Sequence, residues 1–336
     1  MDRRNLDRRS LDRRSFVIGT AAAGAALATG PAFAQDAFPS HAITIINAFP
    51  PGGINDIVTR PLASTMEPIL KQPIVVETKA GAAGQVGAQV AASAKADGYT
   101  LLSHNTGISG YAEVDKLFGR PVKTQRSDFI PLARLVADPV LLVVNSEQPF
   151  KTAKEFIEAA KKPDSALVFS SGGLYGATHL PLAYLERATG PLKLRHLPTN
   201  GGGPAITAIL GNNAQVTTQS VSATLAHIKS GKLRALASFG ATRSKFVPDV
   251  PTFKELGIDA EYYLWVGIFA PKATPQPIVN TLRAAIKQGA HSEAFTTVLA
   301  NAGQELAYLD GPDFQKFWDI DGKRSDEAVI SIGKQG

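Results

Sequence analysis

Side chains able to do covalent or metal chemistry are sparse in this 336-residue sequence and poorly spaced for it. The six histidines, at 41, 104, 179, 196, 227 and 291, form no His-x-x-x-His pair and no glutamate-bearing zinc motif, and no Gly-x-Ser-x-Gly elbow occurs. With no cysteine, disulfides, thiolate metal sites and thiol catalysis are excluded together. Ser171 with His179 comes nearest to a hydrolase pair, and it lacks both the elbow and an acid partner. The sequence therefore predicts no enzyme, no metal and no cofactor.

What remains is the chemistry of the main chain. In Phe49-Pro50-Pro51-Gly52-Gly53-Ile54-Asn55-Asp56 the prolines stiffen a loop, and Gly52 and Gly53 let backbone approach a ligand closely. Asn55 or Asp56 is then a candidate cap of a helix whose free N–H groups suit an anion. The loop has neither the Gly-Lys-Ser/Thr of a nucleotide cradle nor dinucleotide glycine spacing, which argues against ATP and NAD. Asp56, four residues before Arg60, also fits a plain helix-surface ion pair. Two further loops repeat the strand-to-glycine-to-helix order. One offers Ser170, Ser171, Gly173, Ala177 and Thr178, with His179 expected to start a helix nearby; the other offers Pro198, Thr199 and Gly201. Asn105, just past a strand-like run, joins the ligand-binding candidates. All three loops fall at carboxyl ends of strands, where open α/β sheets bind ligands. A fourth glycine-rich segment, Gly81 to Gly87, has a three-residue spacing that suits close packing of a helix on a sheet, and its reading is structural.

The elements that must position these loops alternate from the start. Ile43 to Ile46 reads as strand, Asn55 to Leu70 as helix, Pro73 to Glu77 as strand, then helix to Ala94 and strand from Tyr99 to Leu102. Repeated βαβ means a parallel sheet covered on both faces. A second series has strands at Val140 to Val144, Ala166 to Ser170, Leu192 to His196 and Leu233 to Ser238, with helices at Ala153 to Lys162 and Thr178 to Thr189. Val266 to Phe269 reads as a returning strand, followed by a helix to Gln288 with Thr274 as N-cap and Pro275 in its first position. Two α/β units without a flexible linker predict extended crossings, at Ile130 to Val140 outward and Tyr262 to Pro271 returning. A double crossing makes a hinge, and a hinge makes a cleft that closes on a ligand.

Residues 1–34 carry six arginines, an Ala- and Gly-dominated stretch from Phe16 to Gly30, and a small-x-small site at Ala32-Phe33-Ala34. This reads as an export signal cleaved near Ala34, with Arg13-Arg14-Ser15-Phe16-Val17 looking like a twin-arginine motif. Doublets at Arg3-Arg4 and Arg8-Arg9 leave open which pair is read. Beyond residue 34 the chain holds 29 basic and 26 acidic groups, too balanced for the basic footprint of a nucleic-acid binder.

In this order, Phe49 to Asp56, Gly81 to Gly87, Asp97 to Leu102, Asp128 to Pro131, Gly231 to Ala237, Pro248 to Thr252 and Trp265 to Pro271 resemble the Bug-type extracytoplasmic solute receptors of tripartite tricarboxylate transporters. The resemblance covers nearly the whole mature chain. It implies an α/β, type II periplasmic binding protein fold: two α/β lobes, a ligand cleft and two hinge crossings. The expected division is 35–138 plus 266–336 for lobe 1 and 139–265 for lobe 2. The implied role is periplasmic capture of a small organic acid for the membrane subunits of such a transporter, by a protein expected to be a monomer. A periplasmic sensor subunit of a signalling system is the alternative. Where the family commonly has Pro-Tyr-Lys-Gly, this chain has Pro198-Thr199-Asn200-Gly201, and Thr217 stands where an Asp often follows Gly-x-Val. These departures imply a neutral, aromatic or bulkier ligand tail.

Overall fold

The computed structural model describes residues 38–334, so the leader read at 1–34 lies outside the described residues. Of the unit ending at Ser40 only residues 38–40 are described; the other unit begins at His41. It starts with β1 (Ile43–Asn47), α1 (Ile54–Leu70), β2 (Ile74–Thr78), α2 (Gln85–Ala92) and β3 (Thr100–Asn105). The three strands are parallel in the order β2-β1-β3, with Ile45 opposite Val76 and Leu101. Ile43, Ile45 and Ile46 are buried, as a strand covered on both faces requires.

After α3 (Tyr111–Leu117) comes β4 (Phe129–Asn145), 17 residues long, which serves both halves of the sheet. From Phe129 to Pro139 it pairs antiparallel with β9 (Tyr263–Pro271). From Val140 onward it pairs instead with β7 (Val216–Ser220) and β8 (Leu233–Ser238). The sequence suggests an extended crossing to Val140 and a strand from Val140 to Val144; the structure makes them one strand that runs through Pro139. Proline only removes a donor, and its neighbour Val140 keeps the strand going by donating to the Tyr262 carbonyl at 3.5 Å. The outward and returning crossings are thus adjacent strands of one ladder.

The second lobe adds α4 (Ala153–Ala160), β5 (Val168–Ser171), α5 (Leu180–Thr189), β6 (Arg195–Pro198), α6 (Gly202–Leu210) and α7 (Val221–Lys229). Strands β6, β5 and β7 run parallel. Thr152 and Glu155 form a reciprocal capping box at α4, typically worth about 1 kcal/mol. The chain closes with α8 (Gln276–Ala290), α9 (Glu293–Asn301), the short β10 (Leu309–Asp310) and α10 (Gly311–Ile332). Helix α8 starts one residue later than expected. Pro275 is its N-cap, in extended conformation, and the Thr274 hydroxyl donates to the Pro271 carbonyl at 2.8 Å instead of capping.

Trp265 of the returning crossing is buried against Phe269, Phe314 and Trp318 of the first lobe, while Leu141, Val143, Ile209 and Val221 are among the core of the second. Each such side chain contributes about 1.5–3 kcal/mol when buried. Helix α10 carries Phe314 and Trp318 into the first core and continues to the second lobe, where the Tyr184 hydroxyl donates to the Arg324 carbonyl at 3.3 Å. Among the described residues no helix is long and apolar enough to cross a membrane.

Candidate functional site

Two helix starts face each other between the lobes. The turn after β1 delivers α1 with Gly53 as N-cap, not Asn55 or Asp56, which lie inside its first turn, and the turn after β6 delivers α6 with Gly201 as N-cap; neither end has a side-chain cap. The first N–H groups of a helix have no partner inside it, so two uncapped ends present main-chain donors and two positive dipole ends to the space between them. The approach is close: a methyl placed on Gly53 would lie 3.8 Å from the Gly202 nitrogen.

The walls of this cleft are neutral. Phe49, Gly53, Ile54, Asn55 and Asn105 come from the first lobe, Gly172, Gly176, Ala177, Thr178, Gly202 and Gln219 from the second, and Leu264 of β9 closes the back; the space is about 380 Å³ with its open mouth. No lining residue is ionisable. Asn105 donates through Nδ2 to Asn55 Oδ1 at 2.8 Å and accepts the Gly107 N–H at 3.0 Å. Asn55 Nδ2 has only a long 3.5 Å contact with Ser103 Oγ, which leaves an amide donor little engaged at the cleft wall. On the opposite wall Thr178 Oγ1 accepts the Gly172 N–H at 2.7 Å, fixing the loop after β5.

Phe49, Gly53, Asn55, Asn105, Ala177 and Thr178 thus line one space, as the sequence suggests. Gly173, Pro198 and Thr199 line a neighbouring space. Gly201 meets Pro50, and Pro51 and Gly52 meet Gly203, at the lip where the jaws touch. Asp56 turns away to Arg60 at 2.7 Å and receives Asn47 Nδ2 at 3.4 Å, the surface-pair arrangement its spacing allowed. Ser170 and Ser171 are buried and their hydroxyls are used internally. Ser170 donates to the Ala205 carbonyl at 3.0 Å, and Ser171 Oγ lies 2.7 Å from His196 Nε2. His179, which the sequence sets beside Ser171, instead accepts the Tyr175 N–H through Nδ1 at 3.0 Å. Ile54, Gly172, Gly176, Gly202, Gln219 and Leu264 are lining residues that the sequence reading omits.

Three histidines support the walls in neutral form. His179 and His196 stack with centroids 4.2 Å apart. Burial, and secondarily the neighbouring His196, pushes His179 down to about 3, and burial takes His196 to about 4. His104 is lowered to about 4, again chiefly by burial. Its Nδ1 accepts the Asn105 N–H at 2.8 Å, and its Nε2 lies 2.8 Å from the Tyr111 hydroxyl, which donates to the Ala83 carbonyl. This chain ties the Gly81 to Gly87 segment to Asn105. Within that segment Gly87 packs as expected: a methyl on it would lie 2.8 Å from Ala48 Cα. Ala83, however, reaches across to the second lobe, where a methyl on Gly173 would lie 2.6 Å from Ala83 Cβ.

The same architecture recurs in known proteins. The tripartite tricarboxylate transporter family receptor model matches residues 58–333. Protein BugT of Bordetella pertussis is 33% identical over 270 residues, covering 80% of this chain and 82% of its own. The solved periplasmic binding protein BugD superposes with a TM-score of 0.81 at 28% identity, over 89% of this chain and 100% of its own. MatC of Rhodopseudomonas palustris, solved with bound malate, gives 0.80 at 27% identity over 87% of this chain and 99% of its own.

Proposed function

Because the chain belongs to the tripartite tricarboxylate transporter receptor family, we propose that it is a periplasmic receptor that captures a small organic acid and delivers it to the membrane subunits of such a transporter. The leader at 1–34 would be removed on export and the mature protein would act as a monomer. Lobe 1 would comprise 35–138 with 266–336, and lobe 2 would comprise 139–265, divided where β4 exchanges β9 for β7.

The observation that carries this reading is the pair of uncapped helix ends, at Gly53 and Gly201, facing one another across a cleft with no ionisable lining. A carboxylate at a helix end gains about 0.3–1 kcal/mol, up to about 2 when partly buried, and each hydrogen bond to a charged group adds roughly 1.5–3. Four or five such contacts exceed the approximately 8 kcal/mol of micromolar binding, leaving the remainder for desolvation and lobe closure. The acid would be held by main-chain N–H groups with Asn55, Asn105 and Thr178, and no bond would be made or broken. That MatC was solved with malate supports the ligand class.

Trp265, fully buried opposite Ala137 in the returning crossing, reports on hinge movement. Titrating the protein with small carboxylates should change its tryptophan emission and release or absorb heat in calorimetry. Silence in both, across acids of differing length, overturns the proposal. Mass spectrometry of ligand released from gently purified protein identifies the cargo directly.

A further inference from the structure

Beside the carboxylate cleft lies a second, larger space, about 1080 Å³ with its open mouth against the cleft's 380 Å³, also formed by both lobes. Its apolar walls come from Tyr111, Val114 and Phe118 on one side and Leu174, Tyr175 and Pro198 on the other. Phe118 and Tyr175 meet edge to face across the gap between lobes, with centroids 5.9 Å apart and planes at 74°. Its one cationic wall residue, Arg120, is already engaged: it pairs with Asp115 at 3.1 Å and sits over the Phe118 ring at 5.0 Å. The other polar wall residues are neutral: Thr199, Asn200 and Gln85, whose Nε2 donates to Asp115 at 3.2 Å.

The divider between chamber and cleft is slight. Ala83 and Gly173 line the chamber, Gly172 and Gly176 line the cleft, and Ala83 sits against both Gly173 and Gly176. Since that divider is a contact between opposing jaws and not a continuous wall, jaws slightly further apart join the two spaces. Ala83 is held there in a left-handed conformation, φ 55° and ψ 28°, that alanine rarely adopts.

We infer that the receptor's ligand carries one carboxylate, held at the helix ends, and an aromatic or branched apolar tail that passes Ala83 into the chamber beside Phe118 and Tyr175. This rests on the receptor reading above. A second carboxylate would enter aromatic walls whose guanidinium is already neutralised by Asp115, whereas a ring would extend an edge-to-face cluster and bury apolar surface.

The test is calorimetry of the mature protein with 3-phenylpropanoate, benzoate, acetate, succinate and malate. The inference expects 3-phenylpropanoate to bind at least about tenfold tighter than succinate or malate. Phe118→Ala should remove about tenfold of that preference while leaving acetate unchanged, and Ala83→Gly, which relieves the left-handed strain as it thins the divider, should raise it. Tighter binding of succinate or malate than of either aromatic acid overturns the inference and leaves the receptor reading standing. An aromatic preference insensitive to both substitutions overturns the chamber as its origin. If no acid gives heat, the receptor reading fails and the inference falls with it.

Discussion

Gly203 lies so close to Pro51 that a methyl on its Cα would stand 2.8 Å from the Pro51 carbonyl oxygen. The two residues belong to opposite jaws, so the contact exists only when the lobes are together, and the oxygen is main chain that cannot swing aside. Gly203 lies in the first turn of α6 without a left-handed φ, so alanine fits the open protein and favours the helix, by up to about 1 kcal/mol. Gly203→Ala should therefore leave the melting temperature unchanged or slightly raised while weakening carboxylate binding by about tenfold or more. Calorimetry beside a thermal melt separates the two effects; unaltered affinity would show that closure does not bring these jaws together.

The neutral histidines should make the protein labile to acid. A depressed His pKa means that the folded state binds fewer protons than the unfolded chain between the unfolded value near 6.5 and the folded values of about 3 to 4. Stability from His104, His179 and His196 is thus fully present above about pH 6.5 and lost as pH falls toward 4. Replacing His196 by Gln should flatten the fall in melting temperature across that range. An unchanged slope would mean that the stacked pair does not resist protonation.

Asp138 works in the opposite sense. It lies in the outward crossing, almost fully buried, accepting Gln304 Nε2 at 3.0 Å, and burial raises its pKa to about 7. Between about pH 4 and 7 the folded state holds the extra proton, so this group's contribution declines as pH rises through that window and stays low above it. Asp138→Asn keeps an oxygen for Gln304 and removes the charge but turns an amide toward the Ser222 donors, so its effect should be more favourable at pH 8 than at pH 5 by roughly 2–4 kcal/mol. Denaturant unfolding at the two pH values checks this; equal effects at both would remove Asp138 as a titrating hinge group.

The jaws were more legible in the sequence than the cleft's depth. Pro50, Pro51, Gly52 and Gly53 punctuate the chain strongly, and so do Gly201 to Gly203, because turns that bring backbone to a ligand need these residue types. Gln219 and Leu264 carry no such mark: each sits inside a strand, and only the sheet order places them at the cleft wall. Ser170 and Ser171 misdirect for a related reason. Hydroxyls at the end of a strand look available, yet a strand covered on both faces buries them, and buried hydroxyls take partners indoors, here Ala205 and His196. Helix α6 was expected after this loop but without bounds, because its opening Gly202-Gly203-Pro204 looks like loop, although an uncapped glycine start is what leaves its N–H groups free for a ligand.

Asn55 offers the sharpest separation of binding from stability. Asn55 lines the cleft; its Oδ1 accepts from Asn105, and its Nδ2 has only the 3.5 Å contact to Ser103, so this amide donor is little engaged. Asn55→Asp is nearly isosteric and preserves the acceptor for Asn105, while Ser103 can turn its hydroxyl to donate. Asn55 is almost fully buried, so the new carboxylate should cost stability, of which the α1 dipole returns about 0.3–1 kcal/mol; the thermal melt reads that cost apart from affinity. The new negative charge, however, occupies the potential that the ligand needs and repels it at hydrogen-bonding range, so affinity for any carboxylate should drop by more than about 100-fold. Calorimetry with the best ligand of the wild-type protein, beside a thermal melt, decides the matter. A folded Asn55→Asp variant that still binds at wild-type strength would place the anion elsewhere and remove the opposed helix ends as its cradle.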